Sequence, residues 1–314
     1  MSSTNISVEN GINAGLPYKL RKTWQEVKKN RESYYLMAPY MILFILFVVL
    51  PVIVSVVLSF SYYNIIEPPK FIGWSNYKLL LLDDDVFLIA LKNTFKFAII
   101  TGPVSYFACL LFAWFINELK PLLRSFATLL FYAPSIAGNV FFIWSYIFSG
   151  DAYGLVNGVL MSLGLIDKPV LWLQDPNINL YIIMLVQLWM SLGTSFLAFI
   201  AGLQGVDKTL YEAGAIDGIR NRWQELYHIT LPAMKPQLIF GAIMQVTATF
   251  AVSDVCSQLA GFPSPLYSAH TIVLHMMDYG SIRYEMGYAS AVAVILFLIT
   301  VTINQLVRHF LKPD

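Results

Sequence analysis

The chain alternates between long apolar runs and shorter polar segments. Six of the apolar runs contain almost no charged residue. They lie between Glu32 and Glu67, Lys96 and Glu118, Arg124 and Asp151, Asp175 and Asp207, Lys235 and about Ala260, and Glu285 and Arg308. Because about 20 apolar residues cross the hydrocarbon core of a bilayer as a helix, the pattern predicts an all-α polytopic membrane protein with six transmembrane helices.

A further apolar stretch, residues 152–166, differs from these six. It is shorter, and Gly154, Gly158 and Gly164 interrupt it. A stretch of this length is typical of a segment at the membrane interface or packed against the protein.

The N-terminal segment, residues 1–34, is mostly polar. It lacks the apolar core and small-residue cleavage site of a cleaved signal peptide, so we expect the first run to act as its own signal. Within residues 18–34, Leu20, Trp24 and Val27 recur at helical spacing among six basic residues. This pattern fits a helix on an anionic inner leaflet and equally a solvated, positively charged flank.

Basic residues predict the orientation, because Lys and Arg are retained on the cytoplasmic side. With both termini inside, most of the 20 Lys and Arg residues fall in cytoplasmic segments. We therefore divide the chain into a cytoplasmic segment (1–34), a six-helix membrane domain (35–310) and a cytoplasmic tail (311–314).

Composition agrees with this class, since 57% of the residues are hydrophobic and 12% are charged, which excludes a soluble enzyme. Cys109 and Cys256 fall within predicted spans and indicate no disulfide framework. His270 and His275 lie in a predicted external loop without a convincing third ligand, so we expect no metal site. Spacing of His, Cys and carboxylates suggests no intramembrane enzyme.

One predicted cytoplasmic segment, residues 211–232, is compact and charged: YEAGAIDGIRNRWQELYHITLP. It predicts two short helices joined near Gly218, where glycine permits a sharp break. In the second helix Trp223, Leu226 and Tyr227 share one predicted face. Exposed apolar faces of this kind need a partner surface, although a loop packed against its own bundle is the alternative.

The first of these helices combines small and acidic side chains. Ala213 and Gly214 would let it enter a cleft on a partner, and Glu212 and Asp217 would pair with cationic groups there.

This segment resembles the EAA loop of ABC-importer permeases, whose pattern is roughly EAA, two residues, DGA and an aromatic-rich stretch ending in I-x-L-P. Gly214 stands in place of the second alanine, and the stretch before Trp223 is one residue longer than the usual spacing. The matching positions are Glu212, Ala213, Asp217, Gly218, Ile229, Leu231 and Pro232.

Other matches extend along most of the chain. Residues 71–77, FIGWSNY, are similar to the F-x-G-x-x-N-Y of the first external loop in the sugar-type subgroup. Residues 91–94, LKNT, resemble the start of the second span, and residues 202–206, GLQGV, resemble the run before the EAA helix. Together they resemble the carbohydrate-uptake branch of these permeases.

The resemblance implies the ABC-importer permease fold in a bacterial or archaeal plasma membrane. The implied partners are a second homologous permease, a cytoplasmic ATPase dimer, an extracellular or periplasmic solute-binding protein, a sugar and membrane lipid, without nucleic acid. Residues 203–236, here called the coupling loop, would bind the ATPase through residues 207–232. The implied contacts are Glu212, Ala213, Gly214, Asp217, Gly218, Trp223, Leu231 and Pro232. Since this sequence has no G-x-x-x-x-G-K-[ST] phosphate loop, we expect no cofactor in this chain and ATP and Mg²⁺ in the partner ATPase.

Two polar stripes within the spans are candidates for a solute path, because polar side chains in a span face the bundle or a cavity. They are also consistent with hydrogen bonds between helices. The fourth run carries Gln187, Ser191 and Thr194, and the fifth carries Gln245, Thr249 and Ser253, each set at helical spacing.

The charges within the predicted spans also indicate which class of solute is transported. Spans three to six lack an internal Lys or Arg that would bind an anionic ester, so we expect a neutral carbohydrate, with a glycerol-phosphate or other polar-metabolite importer as the alternative. Tyr132, Trp144 and Trp189 are candidates for stacking on a sugar, and Asp254 would accept sugar hydroxyls or reach interfacial water. An ion-coupled secondary transporter would need further carboxylates within the membrane.

Overall fold

The computed structural model describes residues 26–138 and 140–311. It divides into two units, residues 1–57 and 58–314. The predicted interfacial pattern at Leu20 and Trp24, and the tail from residue 312 onward, lie outside the described residues.

The first unit contains a long apolar helix, α1 (Arg31–Leu58), with a mean hydropathy of 3.3 in its most apolar window. Pro39 lies inside it, and a π-helical turn at Ile45–Val49 divides it. At about 1.5 Å per residue, 28 residues exceed the roughly 30 Å of bilayer hydrocarbon. Helix α1 therefore matches the first predicted span.

The described part of the second unit is helical apart from a short antiparallel hairpin. Strand β1 (Ser61–Tyr62) pairs with β2 (Lys70–Phe71), and Ser61 lies opposite Phe71. The helices are α2 (Ser75–Lys78), α3 (Asp85–Asn117), α4 (Pro121–Ile136), α5 (Phe141–Ile147), α6 (Leu155–Ser162), α7 (Asn179–Met190), α8 (Thr194–Gln204), α9 (Lys208–Ile216), α10 (Arg222–Glu225), α11 (Leu231–Ala233), α12 (Lys235–Phe250), α13 (Asp254–Ala260), α14 (Ile272–Met277) and α15 (Met286–Leu311).

Five segments of the described chain are long and apolar enough to cross a membrane, and a sixth is counted if a bent helix pair forms one span. That pair is α4 and α5, bent by 84° where the sequence predicts a single third span. Pro134 cannot donate a backbone hydrogen bond near the end of α4. The described residues therefore contain five candidate spans, or the predicted six when the bent pair is counted as one broken span.

The second span begins earlier than the hydropathy pattern predicts. Helix α3 starts at Asp85 rather than near Lys96, because the Asp84 side chain accepts a hydrogen bond from the Phe87 amide at 2.8 Å and caps it. Residues 91–94, predicted to open this span, therefore lie inside the helix. The Asn93 side chain donates to the carbonyls of Tyr267 and His270, so this polar side chain is buried within the protein.

The fourth and fifth spans are interrupted. Residues 191–193 separate α7 from α8, and residues 251–253 separate α12 from α13. The prediction that each polar stripe follows one continuous helix is therefore wrong. Each interruption is a short non-helical piece of backbone with a buried side chain, Leu192 in the first and Val252 in the second.

Helix α3 lies at the centre of the second unit, where α7, α8, α12 and α14 pack against it. Near one end its Phe97 belongs to a core with Ile183 and Val255. Near the other end its Cys109 belongs to a second core with Phe196 and Leu226. The second core reaches the coupling loop, because Leu226 is part of that loop.

The shorter apolar stretch forms α6, which lies outside the candidate spans. Its buried Asn157 donates to the carbonyls of Ser149, Asp151 and Val170 and accepts from the Trp172 indole. The Asn157 amide therefore links three parts of the segment between α5 and α7 by hydrogen bonds. Leu155 and Val159 on the same helix are exposed.

Gly287 at the start of α15 allows the backbone of the hairpin to lie in close contact with this helix. Its amide donates to the Tyr63 carbonyl at 3.1 Å. A Cβ at this position would overlap the Ser61 carbonyl oxygen, a backbone atom that cannot rotate away.

We therefore expect Gly287→Ala to displace the hairpin and to destabilise the protein by about 1–3 kcal/mol, as overpacking does. Thermal unfolding of the detergent-solubilised protein measures this change. Gly102→Ala in α3 is the control, since its Cβ would lie 3.7 Å from the Thr249 hydroxyl, an ordinary contact. Equal unfolding temperatures for Gly287→Ala and the wild type would contradict the prediction.

Candidate functional site

The coupling loop folds into the two short helices that the sequence predicts. Helix α9 begins where the Asp207 carboxylate accepts from the Thr209 amide at 3.0 Å, which is an N-cap. The helix ends at Ile216, and two residues later Gly218 has a φ of +94°, in the left-handed region. Glycine adopts this conformation without the steric cost that a side chain brings. Gly218 therefore fixes the angle between α9 and α10.

Helix α9 has a buried face and an exposed face. Glu212, Ala213 and Asp217 are exposed. Gly214 is buried, and a Cβ there would lie 2.6 Å from Ile229 Cδ1. Gly214 therefore packs against the second half of its own loop, and the face of α9 left for the predicted contact with a partner is the one that carries Glu212, Ala213 and Asp217.

The second half of the loop is not a regular helix. Asn221 caps α10 by accepting from the Gln224 amide at 2.8 Å, and α10 continues into a π-helical turn at Leu226–Thr230. Leu226 is buried, whereas Tyr227 is 69% exposed and Trp223 is 61% exposed. Trp223 contacts Trp114, which belongs to the same core as Leu226, whereas Tyr227 is outside that core. The prediction of one shared face therefore holds for Trp223 and Leu226 and is wrong for Tyr227, which lies in the π-helical turn.

The loop closes a polar cavity of about 390 Å³ against the ends of α3, α4 and α8. Arg222 reaches Glu118 at the end of α3, with Nη2 to Oε2 at 3.1 Å. The Arg124 guanidinium on α4 donates to the Asn117 side chain at 3.1 Å. At the chain's return to the bundle, Leu231 is half-buried and Pro232 is exposed at the start of α11.

The candidate solute-path residues do not form one lining. Gln245 and Thr249 are buried, and Thr249 packs on Gly102 of α3 while donating to the Gln245 carbonyl at 3.0 Å. On the other stripe, the Ser191 hydroxyl donates to the carbonyl of Leu188, three residues earlier in the last turn of α7. Gln187 is half-buried, Thr194 is exposed, and Ser253 lies in the break before α13.

A different set of polar residues lines a cavity of about 180 Å³ between α5 and α13. Asp254 and Gln258 stand one helical turn apart on α13, and Ser145 and Phe142 face them from α5. Asp254 and Gln258 are exposed. Sequence reasoning missed Gln258 and Ser145, although the four-residue spacing of Gln258 from Asp254 was a visible signal.

The three candidate aromatic side chains lie elsewhere. Trp144 stacks on Phe148 with ring centroids 5.9 Å apart and meets Trp189 edge-on at 5.4 Å. Trp189 borders an apolar cavity of about 510 Å³, and Tyr132 packs against the second core. None of the three lines the cavity beside Asp254.

The two histidines belong to a buried cluster at the other end of the bundle from the coupling loop. Asp84 accepts from the Tyr288 hydroxyl at 2.6 Å and contacts His275 Nε2 at 3.0 Å. His270 stacks on Phe262 with centroids 5.8 Å apart, and neither of its ring nitrogens hydrogen-bonds to another described residue. Among the described residues, no three His, Cys, Asp or Glu side chains are placed to hold a metal ion.

Burial controls the charges in this cluster. Burial lowers the pKa of His270 to about 4, and it also lowers the pKa of His275 despite the neighbouring Asp84. Burial alone would raise the pKa of Asp84, but hydrogen bonds from Tyr288 and the Phe87 amide outweigh it, and the pKa is lowered. At neutral pH the cluster therefore holds one carboxylate and two neutral imidazoles.

These features define a multi-pass membrane protein in which a structured helical loop projects from one end of a bundle. Residues 104–312 match the family described as "Binding-protein-dependent transport system inner membrane component". The match covers more than half of the chain, and the chain belongs to this family. It is therefore a multi-pass permease component of ABC transporters in the plasma membrane.

Individual relatives agree with the family. The chain is 32% identical over 286 residues to the "Probable ABC transporter permease protein YesP" of Bacillus subtilis (strain 168), covering 89% of this chain and 90% of the relative. It is 29% identical over 287 residues to the "Arabinooligosaccharides transport system permease protein AraP" of the same organism, covering 90% and 89%. Both alignments span nearly the whole length of each protein.

A solved structure shows the same fold. A chain of the bacterial alginate ABC transporter, crystallised in complex with an alginate pentasaccharide-bound periplasmic protein, superposes with a TM-score of 0.75 at 22% identity. The superposition covers 91% of this chain and 96% of that chain. The predicted permease fold is thereby confirmed.

The buried histidine cluster predicts a pH-dependent stability. The folded-state pKa of His270 lies below its ordinary value of 6.5, so the unfolded state binds more protons as pH falls from 6.5 towards 4. Folding stability then falls by up to about 1.4 kcal/mol per pH unit for one such group. We expect the unfolding temperature in detergent to decrease through this window.

His270→Gln, which cannot gain a charge, should reduce the slope of unfolding temperature against pH. His309→Gln is the control, because His309 is exposed near the end of α15. Identical slopes for wild type and His270→Gln would show that His270 does not set the pH dependence.

Proposed function

We propose that this chain is the permease subunit of an ATP-driven importer for a neutral carbohydrate, preferably an oligosaccharide. A separate ATPase would bind residues 207–232 of the coupling loop. The observation that carries this proposal is the exposed face of α9, where Glu212, Ala213 and Asp217 point away from the bundle. Exposed Ile216 extends the same surface with apolar area, as a protein interface requires.

The partners follow from the same proposal. The complex would contain a second homologous permease, a cytoplasmic ATPase dimer and an external solute-binding protein. The periplasmic protein named with the alginate transporter supports the last of these. This chain would hydrolyse no ATP itself, since its sequence has no phosphate-binding loop of the G-x-x-x-x-G-K-[ST] type, and Mg²⁺ would belong to the partner ATPase.

A carbohydrate cargo is supported by the relatives and by the cavity beside Asp254. The related permeases include transport systems named for arabinooligosaccharides, lactose and starch degradation products. The cavity offers a carboxylate, an amide and a hydroxyl from Asp254, Gln258 and Ser145. These groups suit sugar hydroxyls, and the carboxylate would repel a phosphate ester. The cavity therefore favours neutral sugars over glycerol phosphate.

The docking role predicts the effect of two loop variants. Glu212→Lys would reverse a charge at the interface, and Gly218→Leu would strain a backbone at φ +94° by about 1–3 kcal/mol. We expect each to reduce ATPase binding and sugar uptake about tenfold or more in the assembled complex. Asp167→Lys is the control, a charge reversal at an exposed residue outside the loop. Unchanged uptake and ATPase activity in both loop variants would refute the docking role.

The cavity predicts a second effect. Asp254→Asn should weaken sugar transport, because a hydrogen bond to a charged group contributes about 1.5–3 kcal/mol, or tenfold and more in affinity. Gln258→Ala should have a smaller effect, because a hydrogen bond to a neutral amide contributes about 0.5–1.5 kcal/mol. The concentration dependence of uptake in proteoliposomes measures it. Thr302→Ala, at an exposed hydroxyl on α15 that bonds to its own helix, is the control. Saturation curves indistinguishable from wild type in both variants would exclude this cavity from the path.

A further inference from the structure

The coupling loop contacts the second span across space as well as joining the fourth and fifth spans along the chain. Two side-chain contacts make this connection. Arg222 Nη2 lies 3.1 Å from Glu118 Oε2, and the Trp223 ring lies 4.7 Å from the Trp114 ring at an interplanar angle of 57°. Trp114 lies in the last turn of α3 and Glu118 is its C-cap residue, so the two partners in the bundle are four residues apart at one end of the helix.

The ion pair is held in position from within the loop. Glu225 Oε2 binds Arg222 Nη1 at 2.8 Å, one turn further along the same helix. Hydrogen bonding to Glu225 and the charge of Glu118 raise the pKa of Arg222, so the guanidinium stays charged. Because the pair is largely exposed, it adds little to folding stability. A polar contact of this kind is better suited to fixing the position of the loop.

The aromatic contact differs in burial. Trp114 is only 8% exposed and belongs to the core with Phe196 and Phe199, whereas Trp223 is 61% exposed. Trp223 therefore rests on a fixed ring that the bundle holds, and a shift of α10 must move or break this contact. Together with Leu226 in the same core, the two contacts connect the loop rigidly to the bundle.

Helix α3 is the element best placed to receive such a movement. It contacts α7, α8, α12 and α14, and its far end carries Asp84, the acceptor of the buried histidine and tyrosine cluster. Its 33 residues span about 50 Å. A displacement at Glu118 is therefore applied to the helix that also anchors the opposite end of the bundle.

We propose that Glu118–Arg222 and Trp114–Trp223 form a clamp through which α3 follows the coupling loop during the transport cycle. This inference rests on the proposed function. The four residues are positioning residues, which act by holding the coupling loop against α3. Breaking the clamp should leave the ATPase bound and active while separating its turnover from solute movement.

The test compares Glu118→Arg, Arg222→Glu and the double exchange in the assembled complex in proteoliposomes. ATPase copurification, ATP hydrolysis and sugar uptake are measured together. Each single variant should keep ATPase binding and lose about fivefold or more in sugar transported per ATP, and the double exchange should restore most of that ratio. Lys120→Glu is the control, an equal charge change two residues from Glu118 that lies outside the cavity lining.

The aromatic contact is tested by Trp223→Ala and the conservative Trp223→Phe. Trp223→Ala should lower transport per ATP, and Trp223→Phe, which keeps a ring on Trp114, should retain it. Arg222→Gln provides a milder probe should a charge reversal prevent folding. A purely structural role would instead lower the unfolding temperature and the yield of complex without changing the ratio.

The outcomes separate the two proposals. A wild-type chain that binds no ATPase would overturn the proposed function and the clamp with it. A working wild-type complex in which every clamp variant keeps the wild-type ratio, or in which the double exchange restores nothing, would overturn the clamp alone.

Discussion

Polar groups inside a lipid-embedded bundle must find their partners within the protein, because the hydrocarbon offers none. Helix α3 shows how this requirement organises the second unit. Its Asn93 donates to the carbonyls of Tyr267 and His270, and its Thr94 hydroxyl accepts from the Ile272 amide. These bonds satisfy the irregular backbone between α13 and α14. Helices α7, α8, α12 and α14 pack around α3, and the Asn93 and Thr94 side chains of α3 are both hydrogen-bonded within the protein.

The two sides of α9, a helix of nine residues in the coupling loop, have different roles. Its inward side must pack tightly on the rest of the loop, which Gly214 permits by letting Ile229 approach. Its outward side carries acidic and apolar groups that the chain itself leaves uncovered. The loop is thus rigid before any partner arrives, and a rigid projection loses less conformational entropy on binding than a mobile one.

Much of this architecture is readable from the sequence, and the failures have physical reasons. The spans follow from charge-free length, and the loop follows from Gly218 and its flanking motif. The start of α3 was missed because Lys92 and Lys96 read as the edge of a span, while Asn93 beside them is buried in protein. Spacing alone does not reveal the backbone breaks at Ser191 and Ser253, which divide each polar stripe. Gln245 and Thr249 stay together on α12 and line an apolar cavity of about 570 Å³ beside α3 and α15.

The contacts at the far end of the bundle join segments that are distant in the chain. Gly287 binds the backbone at Tyr63, and Tyr288 binds Asp84, so the last helix completes sites begun by the first third of the second unit. Pairings of such long sequence separation form late and slowly. Asp84 precedes its partner Tyr288 by 204 residues along the chain. During synthesis the Asp84 carboxylate therefore has no Tyr288 hydroxyl to accept from until the last helix has been made.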